Sequence, residues 1–255
     1  MTDWAELATE LAAWERAGRR ATLWWRDDDA GAVTPALHRL LSLAAQHAVP
    51  LALAVIPEVA TPALAAAVAG QPRLTALQHG LAHRNHAADG AKKAEFGTDR
   101  PHAVALAEIE AGRRRLAELF DAPLLPVFVP PWNRIDPALV PLLPQAGIKG
   151  LSRFSARTAQ YPATGVREVN CHLDPVAWRG DRGFIGESAA LAAVLQHLRD
   201  RRTGVVDADE PTGLLTHHAV CDDAGWAFLD RLLAFLARQN ACYWLSAADI
   251  FRLAP

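Results

Sequence analysis

The run "RDDDAG", residues 26 to 31, carries three consecutive carboxylates, Asp27, Asp28 and Asp29, directly behind the apolar stretch "ATLWW". Aspartates in a row most often mark a solvated turn, but at a strand end they can also divide into a metal ligand and a general base. A second cluster, "HGLAHRNH", contains His79, His83 and His86. Imidazoles four residues apart on a helical turn have Cβ atoms about 5 to 6 Å apart, close enough to meet one cation at about 2.0 to 2.1 Å. His79 and His83 suit that spacing best, and His83 with His86 suits it at three apart. Two histidines and one aspartate leave coordination positions open for water and substrate, as a hydrolytic divalent-metal site requires, with Zn2+ the default ion. A second aspartate outside the ligand set would then act as general base.

Such groups need elements that bring them to one place. Apolar runs at 21–25, 51–56, 74–79, 125–129, 149–154, 167–172, 213–218 and 241–245 alternate with helical patterns. Thr34-Pro35, Thr61-Pro62 and Asp136-Pro137 each offer a side-chain cap followed by proline at the first helical position, and later helices are expected at 187–202 and 223–239. Repeated strand–helix units imply parallel strands, and strands with little polar alternation imply burial on both faces. The expectation is an α/β fold, a (β/α) barrel whose chemistry gathers at the C-terminal strand ends. Those ends hold Asp27 to Asp29, His79, the run Pro130 to Asn133, His172 with Asp174, and His217 with His218.

Composition narrows the function classes. The chain has 255 residues, 51% of them hydrophobic, enough for one large core, and no linker or repeat divides it. A single catalytic domain over 1–255 is expected, with an N-terminal helix over 3–19 ahead of the first strand. Lys and Arg total 26 against 28 Asp and Glu, for a net charge of −2, which offers nucleic acid no electrostatic footprint. No apolar run reaches the roughly 20 residues of a membrane span, and the N-terminal stretch is an amphipathic helix without signal-peptide layout, so a cytoplasmic protein is expected. Cys171, Cys221 and Cys242 are odd in number and form no C-x-x-C pair, which argues against a disulfide framework or a cysteine zinc site.

Taken in order, the motifs resemble those of the polysaccharide deacetylase family, the NodB-homology carbohydrate esterases. "RDDDAG" resembles that family's Asp-Asp motif after the first strand, and "HGLAH" its His-Thr/Ser-x-x-His motif. "VPPWN", residues 129 to 133, resembles Arg-x-Pro-Tyr/Phe-Gly. "HLDPVAW", residues 172 to 178, resembles an Asp- and Trp-bearing motif, and "LTH", residues 215 to 217, the closing Leu-x-His. The resemblance spans about residues 20 to 220. It implies a distorted (β/α) barrel of about seven strands and removal of an acetyl group from an N-acylated sugar or oligosaccharide. It further implies Asp28 as base, Asp29, His79 and His83 as metal ligands, and His217 as general acid, with His218 the alternative acid. A slip of one residue would make Asp27 and Asp28 the active pair, and His86 is the alternate histidine. Trp132 would lend its backbone N–H to the oxyanion, while Pro131, Asn133, Asp174, Trp178 and His218 would line the substrate.

The chain departs from the motifs at three places: Val129 stands where the family has a base-orienting arginine, Asn133 where it has glycine, and Gly80 where it has a small hydroxyl residue. Arg26, Arg134 and Arg153 are the available replacement charges. A metal-dependent amidohydrolase acting on a small non-sugar amide is the alternative enzyme, and a carbohydrate-binding pseudoenzyme the alternative outside catalysis. The number of associating copies is not legible in the sequence. His38, His47, His102 and His197 read as ordinary exposed or capped helix histidines, and Glu95 as a solvated loop residue.

Overall fold

The computed structural model describes residues 2–120 and 124–252. Eight strands, β1 (Ala21–Ala30), β2 (Leu51–Val55), β3 (Leu74–His79), β4 (Leu124–Val129), β5 (Gly150–Leu151), β6 (Arg167–Glu168), β7 (Thr212–Thr216) and β8 (Cys242–Trp244), form one sheet. Its order is β6-β5-β4-β3-β2-β1-β7, with β8 on β1, and every pairing is parallel. The helices are α1 (Trp4–Arg16), α2 (Pro35–Gln46), α3 (Pro62–Ala69), α4 (His102–Leu119), α5 (Glu187–Thr203), α6 (Asp223–Ala237) and α7 (Ala247–Phe251). This is a curled (β/α) barrel of seven principal strands, as expected. No described helix is long and apolar enough to cross a membrane.

Strand alternation sends apolar side chains to both faces of the sheet. Leu23, Trp25, Leu51, Leu53, Val55 and Leu214 point outward to the helices, whereas Trp24, Ala52, Ala54, Leu77, Val127, Val129 and Leu215 fill the barrel lumen. Alanines at 52 and 54 make room for Trp24, whose indole donates to Asn170 O at 2.9 Å. Gly213 is required there, because a Cβ would lie 2.5 Å from both Asn170 O and the Trp24 indole nitrogen. Helix α7 closes the floor: Phe251 meets Trp24 edge-on, with ring centroids 6.2 Å apart.

Several boundaries differ from the sequence expectation for physical reasons. β1 continues through the aspartates to Ala30, because each charge finds a partner. Thr34 and Thr61 cap α2 and α3 as expected, accepting from Leu37 N and Leu64 N. Asp136 instead closes a local turn on Ala138 N, and only a 3-10 helix follows at Val140–Ala146, where Pro144 lacks the N–H that an α-helix needs. β6 is two residues long; beyond it the chain crosses to β7 through single bridges, including Leu173 to Leu214, leaving a seam in the barrel wall.

Candidate active site and metal centre

The pleat of β1 sends three chemically identical side chains to three places. Asp27 points outward with Trp25. Its Oδ2 accepts from Thr216 Oγ1 at 2.6 Å and from His218 N at 3.0 Å, and its Oδ1 meets His218 Nδ1 at 2.5 Å. Burial pushes the Asp27 carboxyl upward, opposed by His218 and Thr216, and His218 is itself raised because Asp27 outweighs the effect of burial. Asp28 points into the lumen and is 2% exposed. Asp29, where the β1–β2 register shifts, takes a left-handed φ of 69° that swings its side chain to the rim.

On the rim, Asp29 Oδ1 lies 3.0 Å from His79 Nε2 and 3.2 Å from His83 Nε2. Tetrahedral ligands at about 2.0 to 2.1 Å from a zinc ion stand roughly 3.3 Å apart, so these edges suit a divalent cation. The imidazole of His79 donates from Nδ1 to the Val129 carbonyl at 3.0 Å, which leaves Nε2 as the nitrogen facing Asp29, to donate to that carboxylate when protonated and to offer its lone pair to a cation when not. Burial and the neighbouring His79 lower the His83 pKa, favouring the neutral, ligating ring. Burial alone would raise the Asp29 carboxyl, but its bond to His79 and the surrounding histidines hold it well below the ordinary carboxylate range. His79 and His83 do not share a helical turn: His79 ends β3, and His83 follows in a loop with left-handed backbone at Gly80 (φ 58°) and His83 (φ 54°). His86 is outside the trio, its backbone N–H bonded to Ala94 O.

Asp28 is gripped by Arg26, two residues back on the same face of the strand. Arg26 Nε donates to Asp28 Oδ1 at 2.8 Å and Nη2 to Oδ2 at 3.0 Å, a bidentate fork. The remaining guanidinium hydrogens go to Ser152 Oγ, Arg153 O and Asn133 Oδ1, so all five N–H donors have acceptors in a fully buried group. Of the three candidate arginines, then, Arg26 is the one that holds Asp28; Arg134 bonds Lys93 O and Arg153 bonds Glu168. Asn133, expected at the substrate, instead serves Arg26.

Elsewhere on the same rim, His217 Nδ1 is 3.9 Å from Asp174 Oδ2, and that same oxygen accepts from Trp178 Nε1 at 2.7 Å. Burial raises the Asp174 carboxyl while His217 and Trp178 counter it. Trp178, 44% exposed, stands edge-on to the His217 ring at 4.7 Å, an open apolar surface beside that imidazole. Trp132 has φ 56° and Asn133 φ 57°, consecutive non-glycine residues in left-handed backbone, and the Trp132 ring lies 4.3 Å from His83. Two expected substrate contacts are corrected. Pro131 is buried against Gly80, and His218 is turned outward onto Asp27 because successive residues past β7 face opposite sides.

Two further expectations change. Glu95 is 1% exposed rather than solvated, and His197 is buried, stacked on His172 with ring centroids 3.3 Å apart. His172, His197 and Glu210 form a second trio of possible ligands at the barrel seam. It does not suit a metal. His172 Nδ1 accepts from Gly213 N at 2.9 Å, so its Nε2 carries the proton and has no lone pair to give, and the near-parallel rings, 13° apart, aim their nitrogens alongside each other. Burial drives His172 down to about 3 and His197 to about 2, and lifts Glu210 to about 7. The signal for His197 lay in its spacing on α5, where it falls between the buried Val194 and Leu198 on the face that also holds Ala190 and Arg201.

No protein-family model and no curated protein matches the sequence. Solved structures do match. A protein assigned as a polysaccharide deacetylase from Mycobacterium smegmatis aligns at TM-score 0.63 and 15% identity, over 93% of each chain. A family 4 acetyl xylan esterase from Clostridium thermocellum, in complex with a cobalt ion, aligns at 0.55 and 14%, over 91% of this chain and 90% of that one. A CE4 family pseudoenzyme from Bacillus anthracis aligns at 0.58 and 11%, over 91% of this chain and 66% of that one. The chain has the fold of the polysaccharide deacetylases, the family 4 carbohydrate esterases.

Proposed function

We propose that this protein is a divergent polysaccharide deacetylase that uses a divalent ion, Zn2+ by preference, to hydrolyse the N-acetyl group of an N-acylated sugar or oligosaccharide. The observation that carries the reading is the pairing of an oriented ligand set, Asp29, His79 and His83, with a second carboxylate, Asp28, fixed by Arg26 on the neighbouring face of the same strand. Bound ion at the trio would supply positive charge to polarise the acyl carbonyl and to make the attacking water more acidic. Asp28 accepts the proton of that water. Both its oxygens are fixed in the plane of the Arg26 fork, so the carboxylate has no rotamer freedom to lose on reaction. The Trp132 N–H donates to the developing oxyanion. His217, whose ring stands edge-on to Trp178 with Asp174 3.9 Å from its Nδ1, returns a proton to the departing nitrogen, and Trp178 walls the acyl pocket.

The test is acetate release from N-acetylated chitooligosaccharides, and from a panel of small N-acetylated amines, by zinc-loaded protein. Wild type is expected to turn over the sugars, with Asp28→Asn and His217→Ala slower by about 10² to 10⁴, the range for a lost acid or base. Turnover confined to the small amines selects the non-sugar amidohydrolase. Failure to bind any divalent ion sinks the reading. The pseudoenzyme among the structural matches gives one further outcome weight: tight zinc binding without turnover of any acylated amine would make this chain a binding protein.

A further inference from the structure

Glu95 lies in a polar stretch between His86 and α4, yet its carboxylate is almost fully buried. It is the common acceptor for three backbone N–H groups of the turn that presents His83. Oε1 accepts from Ala82 N at 2.8 Å and Arg84 N at 3.3 Å, and Oε2 accepts from Leu81 N at 3.2 Å. The left-handed residues Gly80 and His83 turn these amides to the same side, forming a nest with its concave face filled by one anion. Gly80 has to be glycine here, since any Cβ at that position would overlap Glu95 Oε2 and stand 2.6 Å from Pro131 Cγ.

The backbone that delivers Glu95 is held on both sides, by Asn85 and His86 just past the turn and by Asp136 from outside it. Ala94 N donates to Asn85 Oδ1 at 3.0 Å, His86 N donates to Ala94 O at 2.9 Å, and Asp136 N donates to Phe96 O at 2.7 Å. Both carboxylate oxygens face amides, and Glu95 is not one of the ligand trio. Bonds from N–H to a charged oxygen are roughly twice as strong as neutral ones, so one side chain outweighs the tendency of three exposed amides to seek water.

We propose that Glu95 is the positioning residue of the metal centre: its carboxylate folds the turn from Gly80 to Arg84 so that His83 Nε2 stands opposite Asp29 before any ion arrives. This rests on the reading of Asp29, His79 and His83 as a zinc site. The support that a hydroxyl at residue 80 would give locally is delivered from a separate segment of the chain.

Zinc titrated calorimetrically into metal-free wild type, Glu95→Gln and Glu95→Ala tests it, together with amide hydrogen exchange at Leu81, Ala82 and Arg84 in the metal-free proteins. Glu95→Ala is expected to weaken zinc binding about 10- to 100-fold, the usual cost of losing a group that orients ligands, with the isosteric Glu95→Gln in between. Exchange at the three amides should accelerate in both variants while β3 stays protected. If Glu95→Ala does not fold, Glu95→Gln decides alone. Unchanged zinc affinity and unchanged protection in a variant, with wild type binding zinc, overturn the positioning role. A wild type that binds no zinc overturns the metal centre itself, and the two failures are told apart by that one titration.

Discussion

The rim trio Asp29–His79–His83 and the seam trio His172–His197–Glu210 each gather two histidines and one carboxylate within ligand reach, and their environments drive them in opposite directions. At the rim an outside partner assigns the ring nitrogens: the Val129 carbonyl accepts from His79 Nδ1–H and turns Nε2 toward Asp29, where a cation can take its lone pair. At the seam a peptide N–H occupies the His172 lone pair, and burial holds both rings neutral beside a carboxyl lifted to about 7. Closeness of histidines and a carboxylate is therefore a poor guide to metal binding. What decides is which nitrogen the surrounding hydrogen bonds leave bare.

The largest expected contrast lies in metal content. His79→Ala should lower zinc affinity by more than about 10², beyond the loss usual for an outer-shell partner, whereas His197→Phe should leave one zinc per chain bound. Metal analysis after dialysis reads both, and loss of zinc in His197→Phe would abolish the distinction between the trios. Next in size is the buried pair below the rim. Arg26→Met strands Asp28 in the lumen without its partner and should cost about 3 to 5 kcal/mol in urea unfolding. Arg26→Lys, which keeps the charge and loses the fork, should unfold closer to wild type while still hydrolysing substrate more slowly.

The smallest effect is a pH slope. His172 and His197 are depressed in the folded state, so their contribution to stability is complete above about 6.5 and is lost as pH falls, the unfolded chain binding both protons first. Glu210 is raised, so the folded state keeps its proton from about 7 downward, and that contribution is lost as pH rises through 7. Within this trio two protons oppose one between about pH 4.5 and 6.5, so its contribution to stability should rise with pH there by about 1 kcal/mol per unit. Denaturant midpoints across that window measure it, and Glu210→Gln should steepen the slope. An unchanged slope in Glu210→Gln would mean the seam trio is not held neutral.

Much of this was legible in the chain itself. Alternating apolar runs and proline-capped helices predict the parallel barrel, and ordered short motifs bring Asp29, His79, His83, Asp174, Trp178 and His217 to one rim. The remainder depends on geometry that residue type does not encode. His79 and His83 have helical spacing but occupy a strand end and a left-handed loop, which the glycine at 80 permits. Glu95 and His197 look polar and exposed in sequence because their partners, backbone amides in one case and another imidazole in the other, come from distant segments. Arg26 was one of three candidate charges, and only the pleat shows that residues 26 and 28 face the same way.

That pleat has a consequence for how the chain finds its pairing. A run of three aspartates is self-similar, so sliding β1 by one residue against β2 would still present carboxylates at two of their three positions. Sliding would also carry Arg26 from the lumen into the apolar layer beneath the helices, where Leu23 and Trp25 belong and no oxygen awaits its five hydrogens. The arginine is thus the residue that makes the repeated aspartates readable, setting the strand in a single frame during folding and penalising every neighbour of that frame.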